Sequence, residues 1–145
     1  MKELLHLFEK DNLFELFHAS LGVRERYRDD YWARRDPILE DRLWWRAQTF
    51  RHLVHLLPGQ SILELGCGQG NFTRQLVRVS RGENPITAVS FIADNHKPSE
   101  LPTDVEFINS PDQHGVLKGR EYDFIIAMDL LDEQNCAWLL QNIYQ

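Results

Sequence analysis

An excess of positive charge, clustered cysteines and long apolar runs are all missing from this sequence, and each absence removes a class of function. Lys and Arg number 16 against 22 Asp and Glu, a net charge of −6. That balance argues against a generic nucleic-acid binder and against a protein held on an anionic membrane surface. The only two cysteines, Cys67 and Cys136, stand in unrelated contexts without a CxxC spacing. They fit neither a disulfide scaffold nor a zinc site and suit a reduced, cytoplasmic compartment. No apolar run approaches the roughly 20 residues of a membrane span. Charges interrupt the N-terminal "MKELLHLFEKDN", so neither a signal peptide nor a transmembrane segment is expected. The six histidines (His6, His18, His52, His55, His96 and His114) show no metal-ligand clustering, and no metal is expected. His52 and His55 share a helical face and suit a surface or helix-end role. Repeats and low-complexity tracts are absent. What is present is 145 residues, 43% hydrophobic and 26% charged, enough for one soluble domain with a real core.

The first third reads as helical. Leu4, Leu5, Leu7 and Phe8, then Leu13, Phe14, Leu16 and Phe17, recur near helical spacing, with Gly22 as a stop. The charged stretch "RERYRDDYWARRD" follows, in which Tyr27, Tyr31, Trp32 and the arginines around them fit either a lid over a ligand or ordinary packing of a helical cap. Asp36-Pro37 is a start signal, Asp as N-cap and Pro in the first helical position. A second helix then carries an apolar face through Leu39, Leu43, Ala47, Phe50, Val54 and Leu57, ending at Pro58-Gly59. At least one of Trp44 and Trp45 is expected in the core. After Gly59 short apolar runs appear at Ser61–Leu65, Ile86–Ser90, Val105–Ile108 and Asp123–Met128. The first, second and fourth lack strict alternation, as strands buried on both faces do. "FTRQLVRVS" and "DEQNCAWLLQNIYQ" read as helices, and "FIADNHKPSELPTD" as loop. Strand, helix, strand in this order predicts right-handed crossovers and a parallel sheet, an α/β fold. Residues 1–57 form the N-terminal helical region and 58–145 the sheet domain.

The chemistry concentrates in "SILELGCGQGNFTRQL", where a strand runs through a glycine cluster into a helix. Phosphate is the usual ligand of such a turn. A dinucleotide turn, however, wants glycine in its first, third and sixth places, and here the sixth is Asn71. It also wants an acidic residue ending the second strand, and "ITAVS" ends in Ser90. Glu64, two residues before the turn, would repel an incoming pyrophosphate in a poorly solvated cleft. The same carboxylate suits a ligand bearing an ammonium and a sulfonium. Cys67 reads as a small residue fitting the turn, since nothing nearby marks it as a thiolate. Asp129, after the fourth strand, lies at the edge where such folds bind ligands; it suits a substrate-orienting or basic role, or a solvated or helix-capping one.

"ILELGCGQGNFTRQL" resembles motif I, the "hhD/ExGxGxG" strand and turn of class I S-adenosylmethionine-dependent methyltransferases. The resemblance runs from about Trp45 to the end of the chain, with "ITAVSF", "VEFINSPDQ" and "EYDFIIAMDLLDE" where that family has its second, third and fourth strands. It implies a Rossmann-like sheet, of which about four strands are present, and S-adenosylmethionine as cofactor. On that resemblance Glu64 helps fix the methionine end of the cofactor, directly or through water. Gly66, Cys67, Gly68 and Gly70 form the backbone floor beneath it. Ser90 holds the place of the acidic residue that grips both ribose hydroxyls, a departure that Asp94 in the following loop is positioned to offset. Phe91 packs on the adenine, and Asp112, one place beyond the usual aspartate, accepts from its amino group.

The implied activity is methyl transfer to a small or medium-sized acceptor. "AMDLL" lacks the "NPPY"-like segment of enzymes acting on nucleobase or glutamine amino groups, which favours another small-molecule acceptor and no nucleic acid. Catalytic residues are unassigned, because an acceptor that is already nucleophilic needs no dedicated base. Two other classes stay open: a non-catalytic cofactor-binding or interaction module, and a nucleotide-dependent oxidoreductase domain. A complete domain of the resembled family continues past a fourth strand, so the chain is expected to be the N-terminal part of a larger domain, inactive alone. The apolar fourth strand, "FIIAM", is expected to be covered on both faces, and the chain either to self-associate along that strand's open edge or to stay marginally stable and inactive.

Overall fold

The computed structural model describes residues 12–92, 95–109, 117 and 119–130. The expectations for Leu4 to Phe8, Asp94, Asp112, Cys136 and the "DEQNCAWLLQNIYQ" helix lie outside the described residues. Two helices, α1 (Asn12–Arg35) and α2 (Leu39–Val54), precede β1 (Ile62–Leu65), α3 (Asn71–Ser80), β2 (Ile86–Ser90), β3 (Glu106–Asn109) and β4 (Phe124–Ala127). The four strands form one sheet, ordered β3-β2-β1-β4, with every pairing parallel. This is an α/β, Rossmann-like architecture behind an N-terminal helical region. The strand bounds lie within a residue or two of the apolar runs, because burial on both faces imposes those runs on β1 and β2, where every residue is buried.

Alternation along the central strands sorts the core into two layers. Ile62, Ile86 and Ala88 face Leu43 and Ala47 of α2 and Phe72, Leu76 and Val79 of α3. Leu63, Leu65 and Val89 face the other way, with Ile108, Leu130 and Leu21 of α1. The chain entering β1 is fixed to β4 by the Asp123 carboxylate, which accepts from Ser61 N (2.8 Å) and Ser61 Oγ (3.2 Å). Phe50 of α2 meets Phe124 of β4 edge to face at 5.7 Å.

Several local expectations give way to tertiary contacts. Gly22 does not stop α1, which runs through it to Arg35. A Cβ there would overlap the backbone oxygen of Phe91, so this glycine lets the helix lie directly on the end of β2. Asp36 does accept a hydrogen bond from Ile38 N (3.2 Å), but α2 starts only at Leu39, after a turn closed by Leu39 N to Asp36 O (3.3 Å). His55 ends α2 in a left-handed conformation, ahead of Pro58-Gly59, and Leu57 is exposed. Neither tryptophan is buried. Trp45 is 65% exposed, and Trp44 is half-buried, edge to face with Trp45 and beneath the Arg78 guanidinium. β4 is half-buried rather than covered on both faces. Among the described residues it is an edge strand, with β1 on one side only.

Candidate functional site

Parallel strands carry all their C-terminal ends to one edge of the sheet, and the order β3-β2-β1-β4 reverses direction between β1 and its two neighbours. Ligands of open α/β sheets bind in the crevice at that switch point. The turn after β1 lies there. Gly66 N and Cys67 N both donate to Val89 O (2.7 and 2.9 Å), folding the turn against β2, and Gly70 N donates to Cys67 O (2.8 Å) before α3 begins. Gly66, Gly68 and Gly70 all have positive φ. The structure thus brings Glu64, Gly66, Cys67, Gly68, Gly70, Ser90 and Phe91 together.

Gly68, Gln69 and Phe91 turn their N–H groups towards α1, where two carboxylates receive them. Gly68 N donates to Glu25 Oε1 (2.5 Å), Phe91 N to Glu25 Oε2 (2.8 Å) and Gln69 N to Asp29 Oδ2 (2.8 Å). Between the two carboxylates lies Arg28. Its guanidinium donates to Asp29 Oδ1 (2.9 Å), to Gly66 O (2.6 Å) at the end of β1 and to Met128 O (2.9 Å) at the end of β4. Helix α1 therefore straddles the switch point. Its glycine lies on β2 and its arginine bridges β1 and β4.

Sequence reasoning missed Glu25, Arg28 and Asp29. Over residues 23–31 the helix is turned against expectation, with Glu25, Arg28 and Asp29 inward and Val23, Tyr27 and Tyr31 outward. Glu25 is 0% exposed, whereas Tyr27 is 71% and Tyr31 50% exposed. The tyrosines face away from the turn, and Trp32 packs in the core with Leu43 and Ala47. The signal that could have located the inward face was Gly22 in register with Glu25 and Asp29, at i, i+3 and i+7 on one side of a helix.

Ser90 is fully buried at the end of β2, and its hydroxyl is already committed. It accepts from Asn95 Nδ2 (2.9 Å) and Ile92 N (3.3 Å) and hydrogen-bonds the Glu25 carboxylate. The acidic group at this strand end is thus supplied from α1. Asn95 also donates to Gly68 O (3.1 Å), tying the two turns together. The exposed Asp129 carboxylate pairs with Arg46 (3.4 Å).

Charge in this crevice is mostly buried and mostly negative. Burial pushes the Glu64 carboxyl up to about 7, against the hydrogen bond from Thr73 Oγ1 (2.5 Å) and the attraction of Arg28. Burial raises Glu25 in the same way, more than its bonds from Phe91 and Gly68 lower it. The Cys67 thiol is pushed well up by burial and by Glu64, so it fills the turn as a neutral thiol and is no nucleophile. Because the folded chain holds protons on Glu64 that the unfolded chain releases, stability falls as pH rises from about 4.5 to about 7 and levels off above. The expected loss is on the order of 2–3 kcal/mol. Urea midpoints from pH 5 to 8 should show it, and Glu64→Gln should flatten most of the slope. An unaltered slope would mean that another raised acid, Glu25 first, carries it instead of Glu64.

A groove of about 330 Å³ at the opposite edge is lined by Gly59, Ser80, Asn84, Ile86 and Asp104. It lies at the N-terminal end of β2, away from the switch point. Among the described residues no His, Cys, Asp or Glu group is arranged to hold a metal ion, and no helix is long and apolar enough to cross a membrane. Fold and crevice together define a Rossmann-like α/β protein with a glycine-rich turn at its switch point. No family model matches the chain, and no curated protein matches it.

Proposed function

We propose that the crevice binds S-adenosylmethionine and serves methyl transfer to a small-molecule acceptor in the cytoplasm. The observation that carries this reading is the outward-facing N–H set of Gly68, Gln69 and Phe91, held by side-chain carboxylates of α1. These carboxylates stand in for the acceptor oxygens of a ligand, a carboxylate and ribose hydroxyls. Space is part of the fit, since a Cβ on Gly68 would overlap the bound Asp29 carboxylate. Electrostatics favour the same ligand over a dinucleotide. Glu64 stays on β1 beneath the turn, where a sulfonium and an ammonium favour its ionised form and a pyrophosphate is repelled by it.

In this reading Gly66 to Gly70 carry the methionine end and Glu64 lies beneath them as the opposing charge. Phe91 offers its ring to the adenine, and Asp112 accepts from its amino group. The bound cofactor supplies an electrophilic methyl group. The protein's part is then to align an acceptor and exclude water. A cofactor-binding module without transfer activity is the second reading, favoured by the extent to which α1 fills the crevice. The outer edge of β4 is where a second copy of the chain would add.

Titration with S-adenosylhomocysteine should shift the amide resonances of Gly66, Gly68 and Gly70 and raise the melting temperature with ligand concentration, while NAD should do neither. Shifts that bypass the turn, or an equal response to NAD, would overturn the proposal. Methyl transfer to an acceptor separates the first reading from the second.

A further inference from the structure

Resting on that reading, we infer that helix α1 is a built-in competitor for the cofactor, and that the crevice opens to ligand only when Glu25 and Asp29 leave the N–H groups of Gly68, Gln69 and Phe91. Each of these donors has one hydrogen to give, and each gives it to α1 at 2.5–2.8 Å. A ligand that uses the same donors must displace the helix carboxylates first. Space leads to the same conclusion, because Asp29 occupies the position where a Cβ of Gly68 would lie, and Gly22 has the Phe91 carbonyl directly against it. With Glu25 fully enclosed and Gly66, Gly68 and Ser90 all buried, no ligand atom reaches the floor of the turn while the helix is seated.

Opposing effects act on the seated helix. On one side are charge-assisted bonds to backbone N–H, the Arg28 clamp on Gly66 O and Met128 O, and burial of Leu21. On the other is the desolvation of carboxylates. Arg28 of the same helix favours ionisation of Glu25, whereas Glu25 and Asp29 both oppose ionisation of Glu64 on β1. Removing the helix carboxylates from the cleft rehydrates them. Closure of this kind lowers apparent affinity in proportion to the fraction of open molecules, without altering the contacts that the open site makes.

The test compares the parent chain with Glu25→Gln/Asp29→Asn, which keeps shape and removes the charged acceptors. Asp30→Asn, on the exposed side of α1, serves as the control. By hydrogen exchange the amides of Gly68, Gln69 and Phe91 should exchange about tenfold faster in the double variant, as expected for the loss of roughly 1.4 kcal/mol of closure. They should be unchanged in the control. S-adenosylhomocysteine should bind the double variant about tenfold more tightly. In the parent chain, which needs no substitution to fold, saturating S-adenosylhomocysteine should increase exchange across residues 21–32. Unchanged exchange at the three amides, weaker binding by the double variant, or greater protection of α1 on binding would each overturn the inference, the last two by showing that Glu25 and Asp29 belong to the ligand site. If exchange responds as expected and S-adenosylhomocysteine binds neither protein, the closure stands and the cofactor assignment falls.

Discussion

Gly22→Leu is expected to detach α1 from the sheet and to cost about 4 kcal/mol or more. The nearest obstacle to a side chain at this position is the Phe91 carbonyl, a backbone atom at the end of a buried strand, and it cannot swing aside as the tip of a flexible side chain would. The helix must lift or slide. Either movement re-exposes Leu21 and Trp32, both buried, at roughly 1.5–3 kcal/mol each. It also breaks the three N–H bonds to Glu25 and Asp29. Gly22→Ala gives the sharper test of sign. In an open helix that change stabilises by up to about 1 kcal/mol; here it should destabilise, by about 1–3 kcal/mol, as overpacking does. Urea unfolding followed by far-UV circular dichroism decides it. A stabilised alanine variant would show that α1 does not lie on Phe91 at all.

Gly68→Val should remove cofactor binding altogether, by a factor of about 100 or more, since near-attack geometry and contact both depend on the floor of the turn. Two effects combine there. The residue has φ +54, a conformation costing a non-glycine residue about 1–2 kcal/mol and more for a β-branched one. Its added carbons would fill the space that Asp29 holds now and that a ligand oxygen would take. Gly82→Val separates the two. Gly82 also has positive φ, +74, but nothing within 4 Å of its missing Cβ, so it incurs strain without occlusion. Calorimetric titration with S-adenosylhomocysteine should find Gly82→Val destabilised and fully competent to bind, and Gly68→Val silent. Equal binding by both would place the ligand away from the turn.

The sheet was legible for a local reason. A strand buried on both faces is mostly apolar without alternation, so "ILEL" and "ITAVS" declare themselves in a few contiguous residues. The glycines after β1 mark positions of positive φ that any reader of turns would expect. The helical pattern of "FTRQLVRVS" likewise needs no distant partner, and α3 spans Asn71–Ser80. In the N-terminal third the same local rules find helices but misplace their ends and buried faces. Gly22 reads as a stop because glycine is a poor helix former, yet its lack of a side chain serves a contact 69 residues away in sequence, with Phe91. At least one of Trp44 and Trp45 reads as core because both are large and apolar, yet Trp45 is exposed and Trp44 only half-buried on a helix whose Leu43 and Ala47 do the packing.

By itself, then, the sequence determined the parallel α/β class, the glycine turn at the end of β1 and the cluster of Glu64, Gly66, Gly68, Gly70, Ser90 and Phe91 around it, because each is written in neighbouring residues or in the order of elements. Only the tertiary structure decided what the turn faces. Glu25 and Asp29 lie within "RERYRDD", where charges look like any solvated helix face, and their partners are 43, 66 and 40 residues away. Carboxylates turn inward, and tyrosines outward, only where backbone N–H groups that lack other acceptors come to meet them. That meeting is made by the packing of a helix across the ends of three strands, and its trace in the sequence is no more than Gly22 in register with Glu25 and Asp29.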